Sequence, residues 1–130
     1  MSNLIHLLAQ SDRNDLSGTI RDFKNYTSKK FLGVRNDGES RSEWMKKIFE
    51  YHGKFKSNQS FKVWTHENHA ELIYSQNFIE QKLDYIHTNP IRAGIVANPE
   101  GYLYSSARNY AGLESVLEIV EVDRRWRTVR

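Results

Sequence analysis

Leu83-Asp84-Tyr85-Ile86-His87-Thr88-Asn89-Pro90-Ile91-Arg92-Ala93-Gly94-Ile95-Val96 carries the reading of this chain. It sets a tyrosine and a carboxamide four residues apart on a predicted helix that Pro90 and Gly94 are expected to end. Residues at i and i+4 share one helix face. Asn77 followed by Glu80 has the spacing of a helix start, and Ile79, Leu83 and Ile86 recur as an apolar stripe. At 3.6 residues per turn, Tyr85 and Asn89 fall away from the centre of that stripe, with Gln81 beside them. The helix can therefore pack through its apolar stripe while turning Tyr85 and Asn89 towards a cleft. A phenol beside an amide oxygen able to hold a divalent cation suits nucleophilic attack on a phosphodiester, because the metal offsets charge developing on the phosphate. The competing reading is a chance Tyr and an Asn standing before a proline stop. Arg92 also has two readings, a phosphate neutraliser or a partner for the helix C-terminal dipole. His87 lies two residues from Tyr85, so it points elsewhere and takes no base role.

The stretch continues as Asn98-Pro99-Glu100-Gly101-Tyr102-Leu103-Tyr104-Ser105-Ser106-Ala107-Arg108-Asn109-Tyr110. Together the two segments resemble, without gaps, the C-terminal signature of the REP-associated tyrosine transposases, which belong to the single-tyrosine HUH transposases of insertion sequences. Upstream, Leu16 to Lys30 looks like the first long helix of that family. The resemblance covers roughly residues 1–113, leaving 114–130 as a C-terminal extension with a basic tail.

The resemblance implies an α+β, ferredoxin-like (RRM-like) HUH domain, with helices packed on an antiparallel sheet. In that family a His-hydrophobic-His strand and a helix amide bind Mg²⁺ or Mn²⁺, and the helix tyrosine attacks single-stranded DNA to give a 5′-phosphotyrosine. Carried over by residue, Tyr85 matches the nucleophile, Asn89 the helix metal ligand and His6 the second histidine. Leu4 stands where the first histidine would be, and leucine has no lone pair to give. His6 and Asn89 are then the protein ligands that remain, and affinity and geometry should both suffer. The family pattern has a strand before this motif, so the sheet is expected to lack its usual first strand. Two functions follow: an active transposase that nicks and rejoins hairpin-bearing single-stranded DNA, as a monomer or homodimer, or a catalytically impaired relative that still binds such DNA. A third class, an unrelated interaction domain, requires the resemblance to be coincidence.

Composition fits one small globular domain. The 130 residues are 38% hydrophobic and 12% aromatic, enough for one ordinary core. There is no cysteine, which excludes disulfides and thiolate metal sites. No run reaches the roughly 20 apolar residues of a membrane span, and Met1 does not open a signal-peptide pattern, so a cytoplasmic protein with no membrane partner is expected. The net charge of +3 favours a polyanionic partner only weakly. Its distribution says more. Arg21, Lys24, Lys29 and Lys30 lie along one predicted helix, five lysines occupy the middle of the chain, and Arg124, Arg125, Arg127 and Arg130 close it. Interleaved aromatics give the pattern of single-strand binders, in which rings stack on bases and cations follow phosphates. Solvated helix faces and a polar tail are the alternative.

Elsewhere, Leu4 to Ala9 reads as a short central strand and Phe61 to Thr65 as a strand with one wet face. Asp15 or Ser17 is expected to cap a helix running to about Phe31 through Leu16, Ile20, Phe23, Thr27 and Phe31. Ser40 with Glu43 has capping-box spacing before a helix whose buried stripe would be Trp44, Ile48 and Tyr51, with Gly53 breaking the pattern. His66 and His69 invite a metal hypothesis, but no His-Glu-x-x-His helix supports zinc peptidase chemistry, and loop histidines are the preferred reading. Ser105 and Ser106 have no base nearby in sequence, and Val116 to Val122 is β-prone.

Overall fold

A computed structural model describes residues 4–33, 41–56 and 61–123. Ser40 and the arginine tail from Arg124 onward lie outside them. The described chain is helical: α1 (Leu16–Gly33), α2 (Ser42–Lys56), α3 (Gln76–Arg92), a 3-10 turn at Pro99–Gly101 and the single-turn α4 (Ala107–Tyr110). It divides into two compact units, one of Ala9–Ala70 and the other of the residues up to Leu8 together with those from Glu71 onward.

The expected α+β ferredoxin-like sheet is overturned, because no strand forms among the described residues. Two of the three strand-like segments spend hydrogen-bonding groups on helices or side chains instead of on one another. In 61–65, the Lys62 N–H donates to the Phe49 carbonyl on α2 (2.9 Å), the Trp64 indole N–H to Thr27 Oγ1 on α1 (2.9 Å), and the Thr65 carbonyl accepts from Lys24 Nζ (2.8 Å). In 116–122, the Leu117 carbonyl accepts from Asn109 Nδ2 (2.9 Å) and the Val122 N–H donates to the Tyr110 hydroxyl (2.8 Å). Leu4, Ile5 and Leu7 are exposed and His6 and Leu8 turn only partly inward, so the central strand expected over Leu4 to Ala9, covered on both faces, does not form.

The first unit's long helix starts as the sequence reads. Asp15 Oδ1 accepts the Gly18 N–H at 2.8 Å, satisfying one of the orphan donors of the first turn. The helix runs two residues past Phe31. α2 departs further from expectation. Trp44 is 62% exposed and Tyr51 also faces out, whereas Met45, Ile48, Phe49 and His52 are half-buried. Gly53 is buried inside α2, which continues to Lys56 instead of breaking.

In the other unit, α3 is capped by Ser75, whose Oγ accepts the Phe78 N–H at 3.2 Å, two residues before the expected start. Its buried line is Leu83, His87 and Pro90, with Ile79 and Ile86 half-buried. Pro90 does not end the helix but sits in its last turn. Gly94 ends it, at φ +70°: the Gly94 N–H reaches the Ile91 carbonyl and the Ile95 N–H the Pro90 carbonyl, both at 2.9 Å, the double bond pattern of a Schellman stop. The core is thin. Among the described residues, Leu83 (4% exposed) and Ala107 are the buried hydrophobic ones, joined by the buried His87.

Candidate active site

α3 positions the two residues singled out by their spacing. With Leu83, His87 and Pro90 turned inward, Tyr85 lies on the far side of the helix and is 45% exposed, while Asn89 is half-buried in the last turn. His6, 83 positions earlier in the chain, closes on both. Its Nε2 stands 2.9 Å from Asn89 Nδ2, and its ring meets that of Tyr85 edge to face, with centroids 5.5 Å apart and planes at 89°. The three side chains assigned to catalysis and metal binding therefore meet within one compact unit. Leu4, two residues before His6, is 67% exposed.

The spacing of His6 and Asn89 bears on cation binding. Two donors on adjacent corners of an octahedron with bonds of about 2.1 Å stand about 3.0 Å apart. A half-turn of the Asn89 amide exchanges nitrogen for oxygen, leaving an imidazole nitrogen and an amide oxygen at that separation. Asn89 also lies in the last turn of α3, where the carbonyl ends of the helix favour positive charge. These donors fit a hydrated Mg²⁺ or Mn²⁺ held by two protein ligands. Among the described residues, no group of three or more His, Cys, Asp or Glu gathers.

Residues proposed for the DNA backbone are dispersed. Arg92 is exposed at the end of α3. On α1, Arg21 pairs with the adjacent Asp22 (3.2 Å, both well exposed) and Lys30 lies over the Tyr26 ring, 5.4 Å from its centroid. Lys29 is exposed, and Lys24 is partly committed, donating to the Thr65 carbonyl and to Asn68 Oδ1 within its own unit. An ammonium has three protons, so one remains for a phosphate. His66 and His69 are exposed, His69 standing 3.6 Å from Glu67.

Sequence reasoning missed one contact near the site. His87 Nε2 lies 2.9 Å from Ser106 Oγ, and its ring packs at 5.4 Å against that of Tyr110. The pair ties α3 to the turn leading into α4. Arg108 extends the tie, donating to the carbonyls of Glu114 (2.8 Å) and Glu100 (2.9 Å). The polar residues clustered from Ser105 to Tyr110 were the available signal, but sequence spacing does not reveal that His87 is their partner.

Comparison with known protein families, curated protein sequences and solved structures finds no match to this chain. No helix among the described residues is long and apolar enough to cross a membrane.

Proposed function

We propose that this protein nicks and rejoins single-stranded, hairpin-bearing DNA in the manner of a tyrosine transposase, acting in the cytoplasm as a monomer or homodimer. Tyr85 is the nucleophile, and His6 and Asn89 are the ligands of a hydrated Mg²⁺ or Mn²⁺. The observation that carries this reading is the convergence of His6 on the Tyr85 and Asn89 face of α3, from 83 positions away, at a spacing two cis metal ligands require. In the cleavage step the Tyr85 oxygen bonds to phosphorus, the P–O3′ bond breaks, and the phenolic proton passes through solvent to the released 3′-oxygen. Rejoining reverses the step on a second 3′-hydroxyl. When bound, the cation neutralises charge on the phosphate oxygens. Arg92, with Arg21, Lys24, Lys29 and Lys30 of α1, is assigned to phosphates of the DNA backbone.

A second reading is favoured by one residue. Leu4 leaves the site with two protein ligands, and a two-ligand site holds its cation weakly, which fits a relative that binds DNA without cutting it. The deciding experiment incubates labelled hairpin-bearing single-stranded DNA and Mn²⁺ with the protein, with Tyr85→Phe and with Leu4→His. A covalent adduct in the original chain that vanishes in Tyr85→Phe is the expected result. An adduct that appears only in Leu4→His supports the impaired relative. No adduct in any of them, at any Mn²⁺ concentration, refutes the nucleophile assignment.

A further inference from the structure

The unit of Ala9–Ala70 contains an open groove that takes no part in the proposed cleavage step, although Arg21 and Lys24, assigned above to DNA phosphates, line it. It lies between α1 and residues 61–68, has a volume of about 390 Å³, and falls within the range of clefts that bind small organic groups. α1 contributes Arg21 and Lys24, and the facing segment contributes Lys62 together with an aromatic wall of Phe61 and Trp64. No carboxylate is among the described residues lining it. The Arg21 pair with Asp22 is fully at the surface, where such pairs contribute little and exchange readily.

The aromatic wall is held in place. The Trp64 indole N–H donates to Thr27 Oγ1 at 2.9 Å, and its ring packs against Phe23 with centroids 5.8 Å apart. Lys24, also on α1, fixes the same segment through the Thr65 carbonyl and Asn68. The Lys62 N–H anchors its start to the Phe49 carbonyl on α2. Phe61 remains 38% exposed at the groove. A solvent-facing ring beside cations recognises neither a cation nor an apolar peptide well. It matches a polymer of flat rings joined by phosphates.

We infer that this groove binds a segment of single-stranded DNA, with Phe61 stacking on a base and Lys62 and Arg21 contacting the flanking phosphates. The inference takes the nature of the strand from the proposed function but requires neither Tyr85 nor a metal. It makes Phe61 and Lys62, residues outside the candidate active site, part of the protein's DNA-binding surface.

The test measures binding of a fluorescein-labelled dodecathymidylate to the full chain by fluorescence anisotropy in EDTA, at about 50 and about 200 mM salt. In EDTA no metal-dependent cleavage occurs, so the outcome is independent of whether an adduct forms in Mn²⁺. Phe61→Ala should weaken binding about five- to a hundredfold, the range for one stacked base, while Phe61→Tyr, which keeps the ring, stays within about twofold. Lys62→Gln keeps the aliphatic stem, so it tests charge without risk to folding. It should weaken binding and lower the magnitude of the salt slope by about 0.7. A duplex of the same length should bind more weakly, because its bases are already stacked. Unchanged affinity in both Phe61→Ala and Lys62→Gln, equal binding of the duplex, or no binding by the original chain would each overturn the inference. An adduct in Mn²⁺ with no effect of the groove variants refutes the groove alone, and groove binding without an adduct refutes the nuclease reading alone.

Discussion

Ser106→Ala tests whether the link between α3 and the turn before α4 holds the Tyr85 helix in place. His87 is 6% exposed, and its Nε2 is 2.9 Å from Ser106 Oγ. Deleting the hydroxyl removes one hydrogen bond and leaves a buried ring nitrogen to find another partner, which costs about 1–3 kcal/mol. The surroundings place the value within that range. A cleft of about 250 Å³, lined by Asp84, His87, Thr88, Glu100 and Tyr110 among others, runs beside the imidazole and is large enough to hold water. Water can take over part of the lost bond, so the expected cost is at the low end, about 1–1.5 kcal/mol.

Urea denaturation followed by far-ultraviolet circular dichroism measures it, and with an ordinary slope of about 2 kcal/mol/M the midpoint should fall by about 0.5 M. A double-mutant cycle with His87→Phe isolates the pair. Replacing both partners by apolar groups removes the unsatisfied nitrogen, so the double variant should be more stable than the sum of the singles by about 1 kcal/mol. A Ser106→Ala protein within about 0.3 kcal/mol of the original, or strict additivity in the cycle, refutes the argument that this bond is an energetic tie.

Two further outcomes follow from the helix ends. A Cβ on Gly18 would stand 2.1 Å from Asp15 Oδ2, so Gly18→Ala must break the cap that Asp15 makes. Its loss of about 1 kcal/mol nearly cancels the similar gain in helix propensity, so the variant should be near neutral, whereas in an Asp15→Ala background the same substitution should stabilise by about 1 kcal/mol; equal effects in both backgrounds, by thermal melting, would contradict the capping role. Gly94→Ala places a Cβ at φ +70° and should cost about 1–2 kcal/mol, Gly94→Asn distinctly less; a neutral Gly94→Ala in the same melting assay would mean that α3 does not stop as described.

The helices were legible because their signals are local. The acceptor at Asp15, the stop at Gly94 and the face shared by Tyr85 and Asn89 each depend on residues within one or two turns, and each stands where the sequence puts it. The strands were misread because alternation specifies a half-buried surface and is silent on who pairs with it. Phe61 to Thr65 has the alternation, yet the Lys62 N–H and Thr65 carbonyl are taken by Phe49 and Lys24. Trp44 and Tyr51 failed for a related reason. Aromatic type and helical spacing predict burial only if an element covers that face, and here Met45, Ile48 and Phe49 are the partly covered ones. No local signal near Asn89 points to His6, 83 positions away, and only the family resemblance named the two residues together.

The absence of a sheet among the described residues changes what the candidate site can be. A histidine on a central strand has its backbone fixed by ladder hydrogen bonds on both sides, so its ring is preorganised for a cation before one arrives. Among the described residues His6 has no such ladder, and its ring meets the Asn89 amide and the Tyr85 ring, which are the groups it would serve. Asn89, by contrast, is set rigidly: it lies in the last helical turn, its carbonyl accepts the Ala93 N–H at 3.0 Å, and it is followed by a buried proline and a Schellman stop. In the proposed site one ligand would thus be fixed by its helix and the other by side-chain contacts, so any restriction of His6 on binding would draw on the cation's binding free energy, whereas a third ligand at position 4 would add to it.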